Sequence, residues 1–359
     1  MKKIILLLSF LTFYIPKISS QNTEAYGLTR ATVEMRSSYH YNSIDGIIDN
    51  NASGFKGNYF QFLLSGDISD KFHFDFRQKF NKYSADYSFF DATDKALLIY
   101  TPTDQLNVKL GKRPLTMGGC DYGIIPIDLY LTGQYCDLLT IYQWGVSSAF
   151  TNKSGSDTFT FELTQSPFKN YSSNKNIYAY SGIWEGSHGI VDFLHSIHLY
   201  GTEEGKYVNW IMLGHRFNLG KIKVEADVLN KYSIAGKDAK SNNSFLFKDY
   251  SLVGKLIYNP TEQLSLAVKW CYDVNKCEYD DNDQMTLENC DYHVTPGTEI
   301  NRLGGIVEYY PLKGDKRNII RFHLAGYYDW GINTNQDATL IDKQLFVTLG
   351  MTIKYSLLK

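Results

Sequence analysis

Two adjacent cations, Lys112 and Arg113, stand in the most informative segment of the chain, residues 106–140. Lysine offers a phosphate or carboxylate a point charge, and arginine offers it a forked pair of donors. The segment opens as an alternating strand and then runs on without a clean period, through the Gly118-Gly119 pair. Such a long irregular stretch inside an ordered chain is usually functional. We therefore predict anion contacts at Lys112 and Arg113, with a purely structural role as the alternative.

The elements that must position these residues alternate apolar and polar side chains. Near the far end of the chain, the odd positions from Leu345 to Leu357 are apolar, and the even positions from Thr348 to Ser356 are polar or glycine. A period of two gives one apolar and one polar face, which is the pattern of a β-strand. Many of the alternating runs approach the ~9–11 residues with which a tilted strand crosses a membrane.

Short and long connections alternate between these runs, and the short ones are rich in Asn, Asp, Gly and Pro, which favour tight turns. Short turns at one end, long loops at the other and an even strand number predict a closed, all-β transmembrane barrel. Poor alternation in the eighth and ninth strands leaves fourteen or eighteen strands open as alternatives. The sixteen predicted strands lie near 28–41, 58–68, 72–82, 94–101, 106–112, 139–150, 158–165, 177–185, 193–201, 206–217, 221–231, 247–258, 264–273, 300–310, 317–329 and 341–357.

The irregular segment is then the third long loop, which follows the fifth strand, and we predict that it folds inward to narrow a pore. Cations exceed acids on the face that would line the lumen, and a narrow channel lined in this way favours anions. Paired charges that merely solvate the interior are the alternative for each side chain. The candidate pore-lining or anion-binding residues are Lys112, Arg113, Arg77, Lys79, Lys109, Arg302 and Arg321, and those of the constriction loop are Gly118, Gly119, Asp121, Tyr122, Pro126 and Asp128.

The N-terminus predicts export. Lys2 and Lys3 precede an apolar run, and Ser20 is a small residue at a plausible cleavage site. Because the run is too short to span a bilayer easily, we expect a cleaved signal peptide over 1–20 rather than a retained anchor, followed by one barrel domain over 21–359. The net charge of −2 becomes more negative when the lysines of the signal are removed, which argues against a nucleic-acid partner.

Five cysteines in an oxidising compartment could form bridges. Possible disulfides are Cys120 with Cys136 and Cys277 with Cys290, which would leave Cys271 unpaired, and free buried thiols are the alternative. The acidic loop 274–299 could bind calcium or bridge to lipopolysaccharide, but its spacing lacks the EF-hand pattern, and a solvated surface loop is favoured. No metal or cofactor site is therefore predicted.

Motifs of the common enzyme classes are absent, including G-x-S-x-G, H-E-x-x-H and the P-loop. His195 and His198 lie on one predicted strand, and their spacing places them on opposite faces. We expect a protein that is not an enzyme, although an outer-membrane lipase needs no sequence motif and stays an alternative.

The chain resembles the phosphate-selective porin O and P family of Gram-negative outer membranes. The resemblance rests on Gly111-Lys112-Arg113, Gly118-Gly119, Asp121-Tyr122-Gly123 and Pro126-Ile127-Asp128-Leu129-Tyr130, and it covers about residues 55–150. It implies a sixteen-stranded, trimeric outer-membrane porin whose third loop enters the pore and whose basic lining attracts phosphate.

The expected function is passive diffusion of small hydrophilic solutes with an anion preference, for phosphate or a similar ion. The expected partners are outer-membrane lipid, lipopolysaccharide, small anions and two further copies of the chain. The alternative is a non-conducting barrel whose long surface loops serve adhesion or partner binding.

Overall fold

The computed structural model describes residues 26–81, 89–133, 141–168, 176–203, 206–234, 249–276, 298–333 and 343–358. The predicted signal peptide 1–20 lies outside the described residues. Cys136, Cys277 and Cys290 and most of the acidic loop also lie outside them.

Sixteen antiparallel strands make up most of the described chain. The strands are β1 Gly27–Ile44, β2 Gly54–Asp67, β3 Phe72–Lys79, β4 Thr93–Thr103, β5 Leu106–Pro114, β6 Tyr142–Thr151, β7 Asp157–Gln165, β8 Tyr178–His188, β9 Val191–Glu203, β10 Lys206–Leu219, β11 Ile222–Ile234, β12 Asp249–Thr261, β13 Leu264–Asn275, β14 Thr298–Tyr309, β15 Ile320–Asn333 and β16 Gln344–Ser356.

The sheet closes on itself. Each strand pairs with the next, and β16 pairs with β1 in a register that runs from Thr32 opposite Ser356 to Ile44 opposite Gln344. Closure leaves no sheet edge whose backbone groups lack partners. The predicted sixteen-stranded barrel is confirmed, including β8 and β9, which have the weakest alternation in the sequence.

In this barrel the apolar side chains of each strand are exposed on the outside and the polar ones are buried inside, which is the reverse of a soluble protein. On β16, Leu349 is 59% exposed, whereas its neighbour Thr348 is 4% exposed. Apolar side chains therefore point away from the barrel axis, and polar ones point into the lumen. An apolar outer band around a polar interior suits a bilayer, because the outer side chains contact lipid. The closed sheet also pairs backbone N–H and C=O groups between strands, as a bilayer requires.

The connections follow the predicted short and long alternation. β10 and β11 are joined by Gly220 and Lys221, and Gly220 has a φ of +71°, which a glycine adopts without steric cost. A two-residue strand, Ile47–Ile48, folds back onto β1 in the first long loop. The described residues also contain short 3-10 helices at Pro126–Asp128 and Gly314–Ile319. In the described chain, no helix is long and apolar enough to cross a membrane.

One sector of the lumen holds an apolar cluster, which is unusual for a barrel with a polar interior. Tyr200 of β9 and Trp210 and Met212 of β10 point inward there and are almost completely buried. Leu115 and Met117 of the loop after β5 pack against them, together with Phe168, which follows β7. The barrel therefore has a small hydrophobic core on one inner wall, and that core fixes the start of the third long loop.

The inside-out pattern makes a depth-dependent prediction on β16. Leu349→Arg should cost about 2–4 kcal/mol of folding free energy, because it places a cation on the lipid-facing surface near mid-strand. Tyr355→Arg lies on the same face near the strand end and should cost about 0–1 kcal/mol. Denaturant titration of folding into lipid vesicles measures both values. Equal costs would contradict the assignment of this face to the membrane.

Candidate functional site

The third long loop leaves β5 through a glycine that no other residue could replace without a backbone shift. Gly111 has a φ of +133°, and a Cβ there would stand 2.0 Å from the carbonyl oxygen of Ala96. Arg113 then points inward and forms a buried ion pair with Glu162 of β7, whose side chain is fully buried. Its guanidinium also donates to the hydroxyl of Thr116 at 2.6 Å. The loop is thereby turned into the lumen from its first residues.

The next part of the loop lies against the wall formed by β9–β11. The Gly118 N–H donates to Ser196 Oγ at 2.7 Å, and the Gly119 N–H donates to the Leu194 carbonyl at 3.0 Å. A Cβ on Gly214 of β10 would stand 2.6 Å from the Gly119 Cα. Glycine therefore stands where the two backbones approach closely, and this explains the Gly118-Gly119 pair in physical terms.

A single wall carboxylate holds the loop backbone just beyond the two glycines. Asp227 of β11 accepts the N–H of Cys120 at 2.7 Å and the N–H of Asp121 at 3.2 Å. Because two N–H groups converge on it, this carboxylate acts as an anchor for the loop. Sequence reasoning places Asp227 on the lumen-facing side of its strand but does not reveal this role.

The tip of the loop is the 3-10 helix Pro126–Asp128, whose Ile127 is fully buried. The Asp128 carboxylate pairs with Arg321 and with Lys354, each at 2.6 Å. Burial acts to raise the pKa of Asp128, but these two cations outweigh it, and the pKa lies below its usual value. The carboxylate therefore stays ionised in mildly acidic medium, and its ion pairs weaken only as the pH falls through that lowered pKa.

Two further wall cations hold the return limb of the loop. Lys269 of β13 pairs with the Asp121 carboxylate and donates to the Leu131 carbonyl at 2.7 Å. Arg302 of β14 donates to the Thr132 carbonyl at 2.5 Å while it pairs with Asp329 at 2.6 Å. The predicted inward fold of the third loop is thus observed, with its contacts spread over much of the barrel circumference.

Arg36 of β1 completes the attachment of the loop tip. Its guanidinium donates to the carbonyls of Ile127 and Leu129, both at 2.9 Å. The same guanidinium lies 5.3 Å from the centre of the Tyr130 ring, which stacks at 4.4 Å on the imidazole of His323. Because the planar guanidinium of Arg36 donates to two carbonyls and also lies beside an aromatic ring, it holds the loop tip in one orientation.

Several predicted pore-lining residues are buried in contacts with the protein. The sequence predicts that Lys112, Arg113 and Asp121 face water inside the barrel, but each is less than a tenth exposed. Lys112 pairs across the sheet with Trp144, whose ring is exposed on the outer face, and its ammonium donates to the Phe90 carbonyl at 2.6 Å. The register continues through Gly111 without a shift, so Lys112 keeps the parity of Leu110, whose side chain is exposed on the outer face.

Lys79, Arg302 and Arg321 lie on the lumen-facing side of their strands and already have protein partners. Lys79 pairs with Asp94 at 2.6 Å, and its ammonium lies 4.8 Å from the centre of the Tyr142 ring. Arg321 also reaches Glu308 at 3.3 Å, in addition to Asp128. These cations stabilise the barrel interior, and a passing anion would have to compete with a carboxylate for each of them.

Arg77 and Lys109 are the predicted cations whose charge is not matched in this way. Arg77 is 6% exposed, and its Nε has no hydrogen-bond partner among the described atoms. Lys109 is half-buried on the inner face of β5 and forms no ion pair within the described part of the chain. Lys95 lies beside Arg77 in the register and pairs with Asp75 at 3.1 Å.

These three residues form a basic wall on β3, β4 and β5, defined here as Arg77, Lys95 and Lys109. The loop contacts described above lie on β1, β7, β9–β11 and β13–β16, so the basic wall occupies the sector between β1 and β7. A low-dielectric wall of one charge sign concentrates the opposite ion in a narrow passage. Chemically, this arrangement can attract and pass small anions.

The cysteines and possible metal ligands add little to the site. Cys120 and Cys271 are buried and form no disulfide within the described residues, and burial together with Asp227 raises the pKa of the Cys120 thiol. The predicted bridges stay predictions because Cys136, Cys277 and Cys290 lie outside the described residues. Among the described side chains, no group of three or more His, Cys, Asp or Glu is placed to hold a metal ion.

The double ion pair at the loop tip generates a prediction for Asp128→Asn. Loss of both charge contacts should destabilise the folded barrel by about 1–3 kcal/mol, since the carboxylate is partly exposed. It should also increase current noise through the pore, because the tip becomes free to move. Guanidinium unfolding and single-channel recording measure the two effects.

Asp75→Asn is the matched control, since Asp75 is as exposed as Asp128 and also pairs with a lysine, but it holds no part of the loop. Its current noise should stay at the wild-type level. Equal noise in the two variants would show that the tip contacts do not restrain the loop.

Comparison with solved structures finds outer-membrane channels across nearly the whole chain. An anion-selective porin from Comamonas acidovorans matches with a TM-score of 0.61 at 10% identity, covering 92% of this chain and all of its own. OmpT of Vibrio cholerae matches with a TM-score of 0.63 at 12% identity, covering 94% of this chain and all of its own. The channel DcaP of Acinetobacter baumannii matches with a TM-score of 0.61 at 10% identity, covering 94% of this chain and all of its own.

No family model and no curated protein matches the sequence. At these identities the structural likeness concerns the fold alone. The chain has the closed sixteen-stranded barrel of outer-membrane porins.

Proposed function

We propose that the protein is a passive outer-membrane porin for small hydrophilic solutes, with a preference for anions such as phosphate. The observation that carries this proposal is the basic wall of Arg77, Lys95 and Lys109, which lies in the sector between the contacts of the inward loop. Solutes pass by diffusion, and the electrostatic lining of the narrowed passage sets the preference. No covalent step is involved.

The chemistry of the basic wall supports an anion. The buried Nε donor of Arg77 has no acceptor among the described atoms, and an oxyanion in the passage would supply one. Lys109 adds a flexible point charge one strand beyond Lys95. Among the three wall cations, Asp75 forms an ion pair with Lys95 alone, so the wall keeps a net positive charge. Transient contacts with two or three donors attract an anion without retaining it.

The end of the barrel that carries the short turns also supports anion passage. A cavity of about 890 Å³ opens there, and its lining includes Lys221, Lys223 and Arg317. Glu262 is the acidic residue among the lining side chains. An anion that leaves the basic wall would meet further cations at this mouth, so the favourable potential extends toward the exit.

The finer assignments belong to the same proposal. One matched structure is described as an anion-selective porin, and another as a trimer form. We propose that this chain also assembles as a trimer in the outer membrane, in contact with lipid and lipopolysaccharide, after cleavage of a signal peptide over 1–20. Mass spectrometry of the exported protein and cross-linking in membranes test the cleavage and the trimer.

Ion selectivity in planar bilayers tests the basic wall. Under a potassium chloride gradient, the wild-type pore should favour chloride, and Lys109→Gln and Arg77→Gln should each lower the anion-to-cation permeability ratio about two- to fivefold, because one focused charge is lost. Lys112→Gln is the matched control, since Lys112 belongs to the outer face of the same strand. An equal loss in the control would show that the ratio reports overall charge and not the wall.

Added phosphate then distinguishes a phosphate-preferring pore from a general one. Block of the chloride current by phosphate in the wild type, with weaker block in Arg77→Gln, supports phosphate as the preferred anion. Anion-selective conductance without block supports a general anion porin. Cation-selective conductance would contradict the anion preference and leave only passive diffusion.

A second candidate is a barrel that does not conduct, and the apolar cluster favours it. Trp210, Tyr200 and Phe168 fill one sector of the lumen, and most lumen cations are buried in pairs. The function would then reside in the long surface loops, through adhesion or partner binding. Absence of conductance from a folded, vesicle-inserted barrel would support this candidate and overturn the porin proposal.

A further inference from the structure

Two histidines meet on the outer surface of the barrel, away from the pore. His195 of β9 and His215 of β10 have their Nε2 atoms 3.3 Å apart, and their ring centres are 4.8 Å apart. They lie on adjacent antiparallel strands, where His195 is opposite Leu213 and Phe193 is opposite His215. The pair is therefore diagonal on one face of the sheet.

The face is the outward one. Ile197 and Leu213 share its parity and are 51% and 39% exposed, whereas His198, of opposite parity, is fully buried in the lumen. Both strands reach the short Gly220 turn or the Gly189 turn within a few residues of the pair. The imidazoles thus lie near the rim that carries the short turns, at a depth where polar ring atoms can meet water.

Aromatic rings fix the orientation of the pair. Trp184 of β8 packs edge-on against His195 at 5.8 Å, and the Phe193 ring lies 5.0 Å from His195 and 6.5 Å from His215. Phe193 itself lies over Gly186, where any Cβ would clash with the ring. The two Nε2 atoms are therefore held in proximity by packing and do not depend on their mutual contact alone.

We propose that His195 and His215 form a binding site for a divalent transition-metal ion. Two nitrogens at the usual Zn–N distance of ~2.0–2.1 Å on a tetrahedral ion stand about 3.3–3.4 Å apart. The observed separation of the two Nε2 atoms matches this distance. Neutral imidazole is a preferred ligand of Zn²⁺, Cu²⁺ and Ni²⁺, which defines the chemical class of ion.

The protein supplies two ligands, because no third His, Cys, Asp or Glu joins the pair within the described residues. Water or a lipid phosphate completes the coordination, as expected for a site at the membrane rim. The bound ion links β9 to β10 from outside. The pore is not involved, so this inference stands or falls independently of the proposed function.

Copper binding to the refolded, untagged barrel in lipid nanodiscs tests the site. With one equivalent of Cu²⁺, electron paramagnetic resonance should show one bound ion with two imidazole nitrogens. His195→Asn and His215→Asn should each weaken binding at least tenfold and remove the two-imidazole signature. Excess Zn²⁺ should displace the copper from the wild type.

His188→Asn is the matched control. His188 lies near the same rim and stacks on Phe193 at 5.5 Å, but its Nε2 contacts Asp157 at 3.0 Å. The control should bind copper as the wild type does, and heat-modifiable migration on a gel verifies that each variant is folded. A wild-type spectrum without two imidazoles would overturn the site and leave the pair as a hydrogen bond between neutral rings, as would an unchanged spectrum in the His195 and His215 variants.

Discussion

Buried charge inside the barrel must be paired, and the position of the inward loop depends on this requirement. A carboxylate or guanidinium removed from water is strongly unfavourable until an opposite charge or several hydrogen-bonding groups surround it. The loop brings Asp121 and Asp128 into the lumen, and Lys269, Arg321 and Lys354 of the wall meet them. Each partner is costly alone, so the loop and the wall stabilise each other only when the loop is folded inward.

That mutual dependence decides which cations remain for solutes. A lysine that neutralises a loop carboxylate contributes little field to the passage, because the pair is nearly neutral at a distance. The attachment of the loop therefore removes most wall cations from direct solute contact and leaves the sector of Arg77, Lys95 and Lys109. An uneven charge distribution follows from the architecture: one part of the circumference holds the loop, and another part faces the solute. The position of the passage and the anion preference proposed for it thus have one common cause.

Sequence periodicity is sufficient to predict the fold, but it does not predict which residues contact each other in the site. Alternation is a local property, so sixteen strands and their two faces follow from residues that are neighbours in the chain. The partners of Asp128 lie on β15 and β16, at the far end of the sequence, and no local pattern indicates that pairing. Lys112 shows a different limit. Its residue type and its neighbour Arg113 suggest a pore contact, but Lys112 shares the parity of Leu110, whose side chain is exposed on the outer face, and the register continues through Gly111 without a shift.

The apolar cluster adds a second kind of constraint to the ionic one. Ion pairs are weakened by salt and acid, whereas burial of Leu115 and Met117 against Trp210 and Met212 depends on neither. The loop is therefore attached by packing and by the buried Arg113–Glu162 ion pair where it enters the lumen, and by partly exposed ion pairs at its tip. We expect movement of the loop to begin at the tip, since the entry is also fixed by hydrophobic contacts. The tip of the loop can therefore shift with salt concentration or pH, while the loop entry and the barrel keep their structure.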